Sequence, residues 1–176
     1  MTKAKPTQKK AIELFVQNKE GYIANDSAAN RGMLMASYYG GKAINITSTT
    51  SAHAMCYNLT MNCSTAHGHS VAVCLAEIWN YMNAHNARVN DPRGREYVLK
   101  TLDEIGVLLG GRDSRGGAAA FSSILKEFEL KQPVADKLQV KAFVKNVNPA
   151  KLLSNPTVLE TEDVEEIYNR VFGIHA

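Results

Sequence analysis

Three observations predict that this 176-residue chain is all-α, a multi-helix bundle. Apolar residues recur at helical spacing along almost its whole length. No stretch shows the sustained strict alternation, bounded by turn residues, that marks a half-buried strand. The apolar stripes are separated by capping and turn residues, notably Asn25-Asp26-Ser27, Asn90-Asp91-Pro92 and Asn155-Pro156.

The elements follow in order. Pro6 pre-sets the first turn of a helix expected over about Thr7 to Ile23, with Ile12, Phe15, Val16, Lys19 and Tyr22 on its stripe. Asn25-Asp26-Ser27 ends it and caps a second helix carrying Met33, Leu34 and Tyr38. Gly32, Gly40 and Gly41 interrupt that second helix, each at a cost of roughly 1 kcal/mol relative to Ala, so close approach of a neighbouring backbone is expected there. After Thr47 to Ser51, a third helix carries His53, Met55, Tyr57 and Leu59, and the polar break Asn62 to Thr65 ends it. A fourth, from His67 to about Met82, packs Val71, Cys74, Leu75, Ile78 and Trp79 on one side. Asn90-Asp91-Pro92 starts the next, through Tyr97, Leu99, Leu102 and Ile105, and Gly110-Gly111 stops it. Ala118 to Leu130 is opened by Asp113 or Ser114 and closes before Pro133. Asp136 to Val147 follows, and Thr161-Glu162-Asp163 begins a terminal helix with Val164, Ile167, Tyr168 and Val171 inward. No internal repeat or low-complexity segment is present, and one domain over residues 1–176 is expected.

Composition narrows the function classes. Lys and Arg number 20 against 17 Asp and Glu, a net charge of +3, too small and too scattered for nucleic-acid binding. The longest apolar runs, such as Val71 to Leu75, fall far short of the roughly 20 residues that cross a bilayer. The basic start Met1 to Pro6 runs into an amphipathic helix rather than an apolar leader segment, so no signal peptide is expected. The three cysteines, Cys56, Cys63 and Cys74, cannot all pair, which reads as a reducing, cytoplasmic setting.

Chemistry concentrates in Ser51-Ala52-His53-Ala54-Met55-Cys56-Tyr57, Cys63 and Ala66-His67-Gly68-His69. Three of the five histidines lie there. His53 falls within one helix and His67 at the start of the next, so an antiparallel pair would bring both imidazoles to one point. Neutral imidazole suits zinc, iron and nickel, though tight binding needs three or four such ligands. Two other readings stand beside this one: His53 as a hydrogen-bonded core residue with His67 and His69 as capping groups, and a zinc site from Cys56, Cys63, His67 and His69, which lacks the short cysteine knuckle of structural sites.

The stretch Lys42-Ala43-Ile44-Asn45-Ile46-Thr47-Ser48-Thr49-Thr50-Ser51-Ala52-His53-Ala54-Met55, followed by His67-Gly68-His69-Ser70-Val71-Ala72-Val73-Cys74-Leu75, resembles the metal-dependent, iron-containing alcohol dehydrogenases. Within the dehydroquinate synthase-like superfamily it is most similar to the branch containing phosphonoacetaldehyde reductases, and the resemblance runs from about Gln8 to the C-terminus. It implies a C-terminal helical metal-binding domain, normally preceded by an α/β domain that binds NAD(P). It also implies that His53 and His67 are the later pair of metal ligands, holding iron or zinc that polarises a small alcohol or aldehyde during hydride transfer. Many relatives carry a histidine four residues after the first of these ligands. Tyr57 stands here instead, a candidate catalytic acid with an ordinary pKa near 10. Ala66 and Ala76 stand where common relatives have Pro.

By the same resemblance, the early ligand pair falls upstream of residue 1, and the segment before Gln8 holds no Asp, Glu or His. No strand, Gly-rich turn and helix in G-x-G-x-x-G order occurs, since Gly110-Gly111 and Gly116-Gly117 follow a helix. The expectation is an incomplete half, inactive alone, that works with a separate nucleotide-binding chain or domain. The alternative is a non-catalytic helical interaction module built on that scaffold. Exposure of the surface around His53, Tyr57 and His67 makes a homo-oligomer the expected state.

Overall fold

The computed structural model describes residues 4–174. The first three residues of the basic N-terminal stretch, and His175 and Ala176, lie outside the described residues. Those described build nine α-helices and one isolated β-bridge. They gather into two compact units, one from the stretch up to Ser48 together with Asp103–Ala120, the other from Thr49–Leu102 together with the stretch from Phe121 onward.

The first unit is built on α1 (Ala4–Ile23) and α2 (Ser27–Ile44), packed along each other as a helical hairpin. Asn25 takes a left-handed conformation at φ 57°, and the Asp26 amide reaches back to the Gly21 carbonyl at 2.8 Å, which closes α1. The Asp26 carboxylate then accepts from the Ala28 and Ala29 amides, capping α2 as its sequence predicts. At Gly32 a Cβ would collide with the Asn18 side chain, so a packed side chain, not the expected neighbouring backbone, fills the space there. The expected close approach is absent at Gly40 and Gly41 too, where a Cβ would meet nothing within 4 Å. Their cost to the helix is therefore not offset by close packing.

The rest of the first unit joins the end of α5 (Arg95–Leu108) to the start of α6 (Ser114–Glu127). Gly110, at φ 96°, ends α5, and the Gly111 amide donates to the Gly106 carbonyl at 2.9 Å, in the pattern of a glycine-terminated helix. The α6 helix starts at Ser114 rather than Ala118. Gly116 and Gly117 look like loop residues in sequence, but here they let the helix approach Gly111 so closely that a Cβ on Gly111 would collide with the Gly117 backbone. The Asp103 carboxylate accepts the Ser114 amide at 2.8 Å, satisfying one of the free donors at this helix start.

The second unit holds the main core. Its helices are α3 (Ser51–Asn62), α4 (His67–Ala84), α7 (Lys137–Asn146), α8 (Pro149–Leu152) and α9 (Thr161–Val171). A short 3₁₀ turn, Asn86–Arg88, follows α4. Val164, Ile167, Tyr168 and Val171 are buried on α9, which packs on α4 and α7, and Met55 and Leu59 of α3, Cys74 and Ile78 of α4, and Val140 and Phe143 of α7 are buried in the same unit. Asp136 and Gln139 form a reciprocal capping box that starts α7. Trp79 and Tyr81 are buried, whereas Val71 and Leu75 of the predicted α4 stripe are only half-buried. The four-residue α8 is not among the predicted elements, although Asn148 caps it and Pro149 occupies its first turn. The bridge pairs Val89 with Thr157, flanked by an Asn90 amide to Pro156 carbonyl bond at 3.1 Å and a Val158 amide to Arg88 carbonyl bond at 3.0 Å.

Candidate metal centre

The site lies at one end of the α3 and α4 pair in the second unit. Residues 63–66 reverse the chain between the helices, helped by Ser64 at φ 51° and by the Thr65 hydroxyl donating to the Cys63 carbonyl at 3.1 Å. Thr60 of α3 donates to Ser70 of α4 at 3.2 Å, fixing the pair side by side. This reversal brings the His67 ring back to His53, with centroids 5.6 Å apart, and Tyr57 lies one turn beyond His53 with its ring 5.9 Å from His67. An imidazole bonded at roughly 2.1 Å places its ring centre roughly 3.2 Å from a metal, so two such rings at a tetrahedral angle stand roughly 5 Å apart. The observed separation fits two nitrogen donors converging on one ion.

Electrostatics favours the ligand form of the first histidine. Burial, the neighbouring His67 and the Lys151 ammonium all hold the His53 pKa below its ordinary value, so the ring is neutral at pH 7. Beneath the pair lies the fully buried Cys56. Its sulfur is 3.7 Å from His67 Nδ1 and donates to the His53 carbonyl at 3.3 Å. Burial pushes this thiol up to about 11 against the pull of Lys151.

Of the other predicted candidates, Cys56 stays beside the pair and His69 turns elsewhere. His69 Nε2 donates to the Lys131 carbonyl at 2.7 Å and tethers the start of α4 to the loop after α6. Cys63, Cys56, His67 and His69 do not converge, and no group of three His, Cys, Asp or Glu able to hold a metal occurs among the described residues. The sequence reading missed Lys151, which α8 carries to the site. Its Nζ lies 4.6 Å from the Tyr57 ring centre and donates a long 3.4 Å bond to the Tyr57 hydroxyl. The signal that reveals α8 is the pair Asn148-Pro149, a capping residue before a proline that suits a first helical turn.

The described residues thus form an all-α chain in which two histidines are brought together by an α3–turn–α4 reversal. Residues 6–172 match the profile of the Fe-containing alcohol dehydrogenase family, C-terminal, and the chain belongs to that family. Phosphonoacetaldehyde reductase of Streptomyces viridochromogenes is 38% identical over 93 residues, which is 52% of this chain and 24% of that protein. Two solved structures share the fold. The iron-containing alcohol dehydrogenase from Thermotoga maritima has a TM-score of 0.81 at 20% identity, over 98% of this chain and 43% of that one. The sulfoacetaldehyde reductase from Bifidobacterium kashiwanohense, in complex with NAD+, has a TM-score of 0.82 at 18% identity, over 99% and 45%. The chain thus spans less than half the length of these relatives. No described helix is long and apolar enough to cross a membrane.

Proposed function

We propose that this chain is the metal-holding helical part of an NAD(P)-linked alcohol or aldehyde oxidoreductase. His53 and His67 hold a divalent metal, iron or zinc, together with donors from outside the chain. Tyr57 donates a hydrogen bond to the substrate oxygen. The observation that carries this reading is the 5.6 Å convergence of a neutral His53 with His67, with Tyr57 on the same side. Family membership supports the reaction class, and the two reductases above are named for aldehydes.

A bound metal would supply Lewis-acid polarisation of the carbonyl oxygen. The protein's own contribution is orientation. His53 and Tyr57 sit one turn apart on α3, so one rigid helix sets the spacing between a metal ligand and the hydroxyl that meets the substrate. NAD(P) binding belongs to a nucleotide-binding domain or chain that acts with this one.

The test is a Zn²⁺ titration of the purified chain followed by the imidazole proton resonances. His53 and His67 are expected to shift together at one ion per chain, and His53→Ala and His67→Ala each weaken binding by at least about tenfold. Two resonances that stay fixed while Zn²⁺ binds elsewhere, or variants that bind as the wild type does, would overturn the metal assignment in favour of a non-catalytic module.

A further inference from the structure

Cys56 follows His53 by three residues on α3, is fully buried, and has no part in the reaction proposed above. Its place relative to His67 is set from both helices. On α3 its thiol donates to the His53 carbonyl at 3.3 Å, which fixes the direction of the sulfur. The Thr60 hydroxyl lies 3.0 Å from the Cys56 carbonyl and 3.2 Å from the Ser70 hydroxyl of α4, and Ser70 in turn donates to the Thr65 carbonyl at 3.3 Å. This chain of bonds runs from the backbone of Cys56 to the opening turn of α4, where His67 stands.

His67 has little else to hold its ring. It is the exposed first residue of α4, and it precedes Gly68, where a Cβ would meet nothing within 4 Å. Among the described residues the one hydrogen-bonding contact of the ring is Nδ1, 3.7 Å from the Cys56 sulfur. Proton counting then assigns the tautomer. A thiol carries one proton, and this one is directed at the His53 carbonyl, so toward Nδ1 the sulfur can only accept. Nδ1 therefore carries the ring proton, and Nε2, on the far side of the ring, keeps the lone pair that a metal takes. Sulfur is a weak acceptor, but the two tautomers of a neutral imidazole differ little in energy, so one fixed partner in a dry setting decides between them.

We infer that Cys56 is a positioning residue whose sulfur accepts the Nδ1 proton of His67, holding the ring in the Nδ1–H tautomer with Nε2 presented to the metal. This rests on the reading of His53 and His67 as metal ligands. The same thiol is bonded to the carbonyl of the first ligand and to the ring of the second, so it ties the two imidazoles of the site to each other from below. Direct ligation by Cys56 is a different arrangement, because a thiolate has no proton left for the His53 carbonyl.

The experiment reads the imidazole nitrogens of the metal-free chain by two-bond ¹H–¹⁵N correlation at about pH 8.5, above the ordinary histidine range, and then the Zn²⁺ affinity of the same samples. Wild type is expected to show His67 protonated on Nδ1. Cys56→Ala is expected to shift His67 toward the Nε2–H form that an unconstrained imidazole favours, and to weaken Zn²⁺ binding by about tenfold. Cys56→Ser, whose hydroxyl can both donate to the His53 carbonyl and accept from Nδ1, is expected to keep the wild-type tautomer and to bind Zn²⁺ within about threefold of wild type. His67 protonated on Nε2 in the wild type overturns the proposal, as does a Cys56→Ala variant with unchanged tautomer or unchanged Zn²⁺ affinity. So does a Cys56→Ser loss as large as that of Ala. An intense sulfur-to-metal charge-transfer band in the Co²⁺-loaded wild type, absent in Cys56→Ser, would make Cys56 a ligand and overturn it too. A Cys56-dependent tautomer with no Zn²⁺ shift at His53 and His67 overturns the metal reading instead and leaves the sulfur–imidazole bond standing.

Discussion

Tyr168→Phe tests how the core holds the site's supporting helix. Tyr168 is fully buried. Its hydroxyl donates to the Met55 carbonyl at 2.9 Å and accepts from Asn58 Nδ2 at 2.9 Å, while the same Asn58 nitrogen donates to the Phe143 carbonyl at 3.1 Å. Three helices, α3, α7 and α9, thus meet at one polar point inside an apolar core. The substitution keeps the ring contacts with Phe143 and Phe172, whose centres lie 6.0 and 6.1 Å away, and removes only the oxygen. Two hydrogen bonds are lost at about 1 kcal/mol each. The residual penalty is small, because Asn58 keeps its bond to Phe143 and a carbonyl within α3 keeps its helical partner. The expected destabilisation is therefore about 2 kcal/mol, or about 4–8 °C in Tm for a chain of this size. Urea unfolding followed by circular dichroism measures it, and an unchanged denaturant slope shows that the native and unfolded states compared are the same. Asn58→Ala combined with Tyr168→Phe should cost less than the sum of the single changes, since both remove one shared bond. A loss below about 0.5 kcal/mol for Tyr168→Phe would refute this reasoning, since it would mean that the buried hydroxyl contributes nothing net.

Two further outcomes follow from local chemistry. Glu129 ends α6 in a left-handed conformation at φ 53°, with the Leu130 amide bonded to the Leu125 carbonyl at 2.9 Å. Glu129→Gly is expected to raise stability by about 1 kcal/mol, because a Cβ is penalised in that conformation, and a urea midpoint that falls would contradict it. At Asp163, burial pushes the carboxyl upward, but hydrogen bonds from the Glu160 amide, Arg88 and Tyr81 outweigh it and hold the group below the ordinary aspartate range. The folded state therefore resists protonation more than the unfolded state. The stabilisation is full above the ordinary aspartate pKa and is lost as pH falls through the lower folded value. Arg88→Gln, which removes the charge that meets Asp163 at 2.9 Å, should flatten the fall of the urea midpoint below about pH 4, and identical slopes in both proteins would refute the link.

Most of the helices are legible in the sequence because their signals are local. Asp26 caps α2 through two amides, the Asp136 and Gln139 box starts α7, and the four apolar positions of α9 all point into the core. The readings that shift do so where distant backbone decides the outcome. Gly116 and Gly117 have the composition of a loop, but close approach to Gly111 makes them the opening turn of a helix. Nothing near Gly40 or Gly41 provides a comparable reason. Cys56 reads in sequence as a candidate ligand, and its full burial beside His67 is a consequence of packing that no spacing rule reveals.

The candidate site shows the same division. The likeness of residues 42–75 to a family pointed to His53 and His67, and the α3–α4 reversal gives their convergence a physical cause. Lys151 lies 94 residues from Tyr57 along the chain, and no periodicity links the two. What links them is the buried Ser51–Asn155 hydrogen bond and the Ser154 contact to Thr49. An apolar contact there would tolerate small slips of α8 along α3. A buried polar pair does not, because any slip leaves both groups desolvated and unpartnered, at about 1–3 kcal/mol for each group. The polar pairing therefore sets the register of α8 on α3, and that register places the Lys151 ammonium against the hydroxyl proposed to meet the substrate.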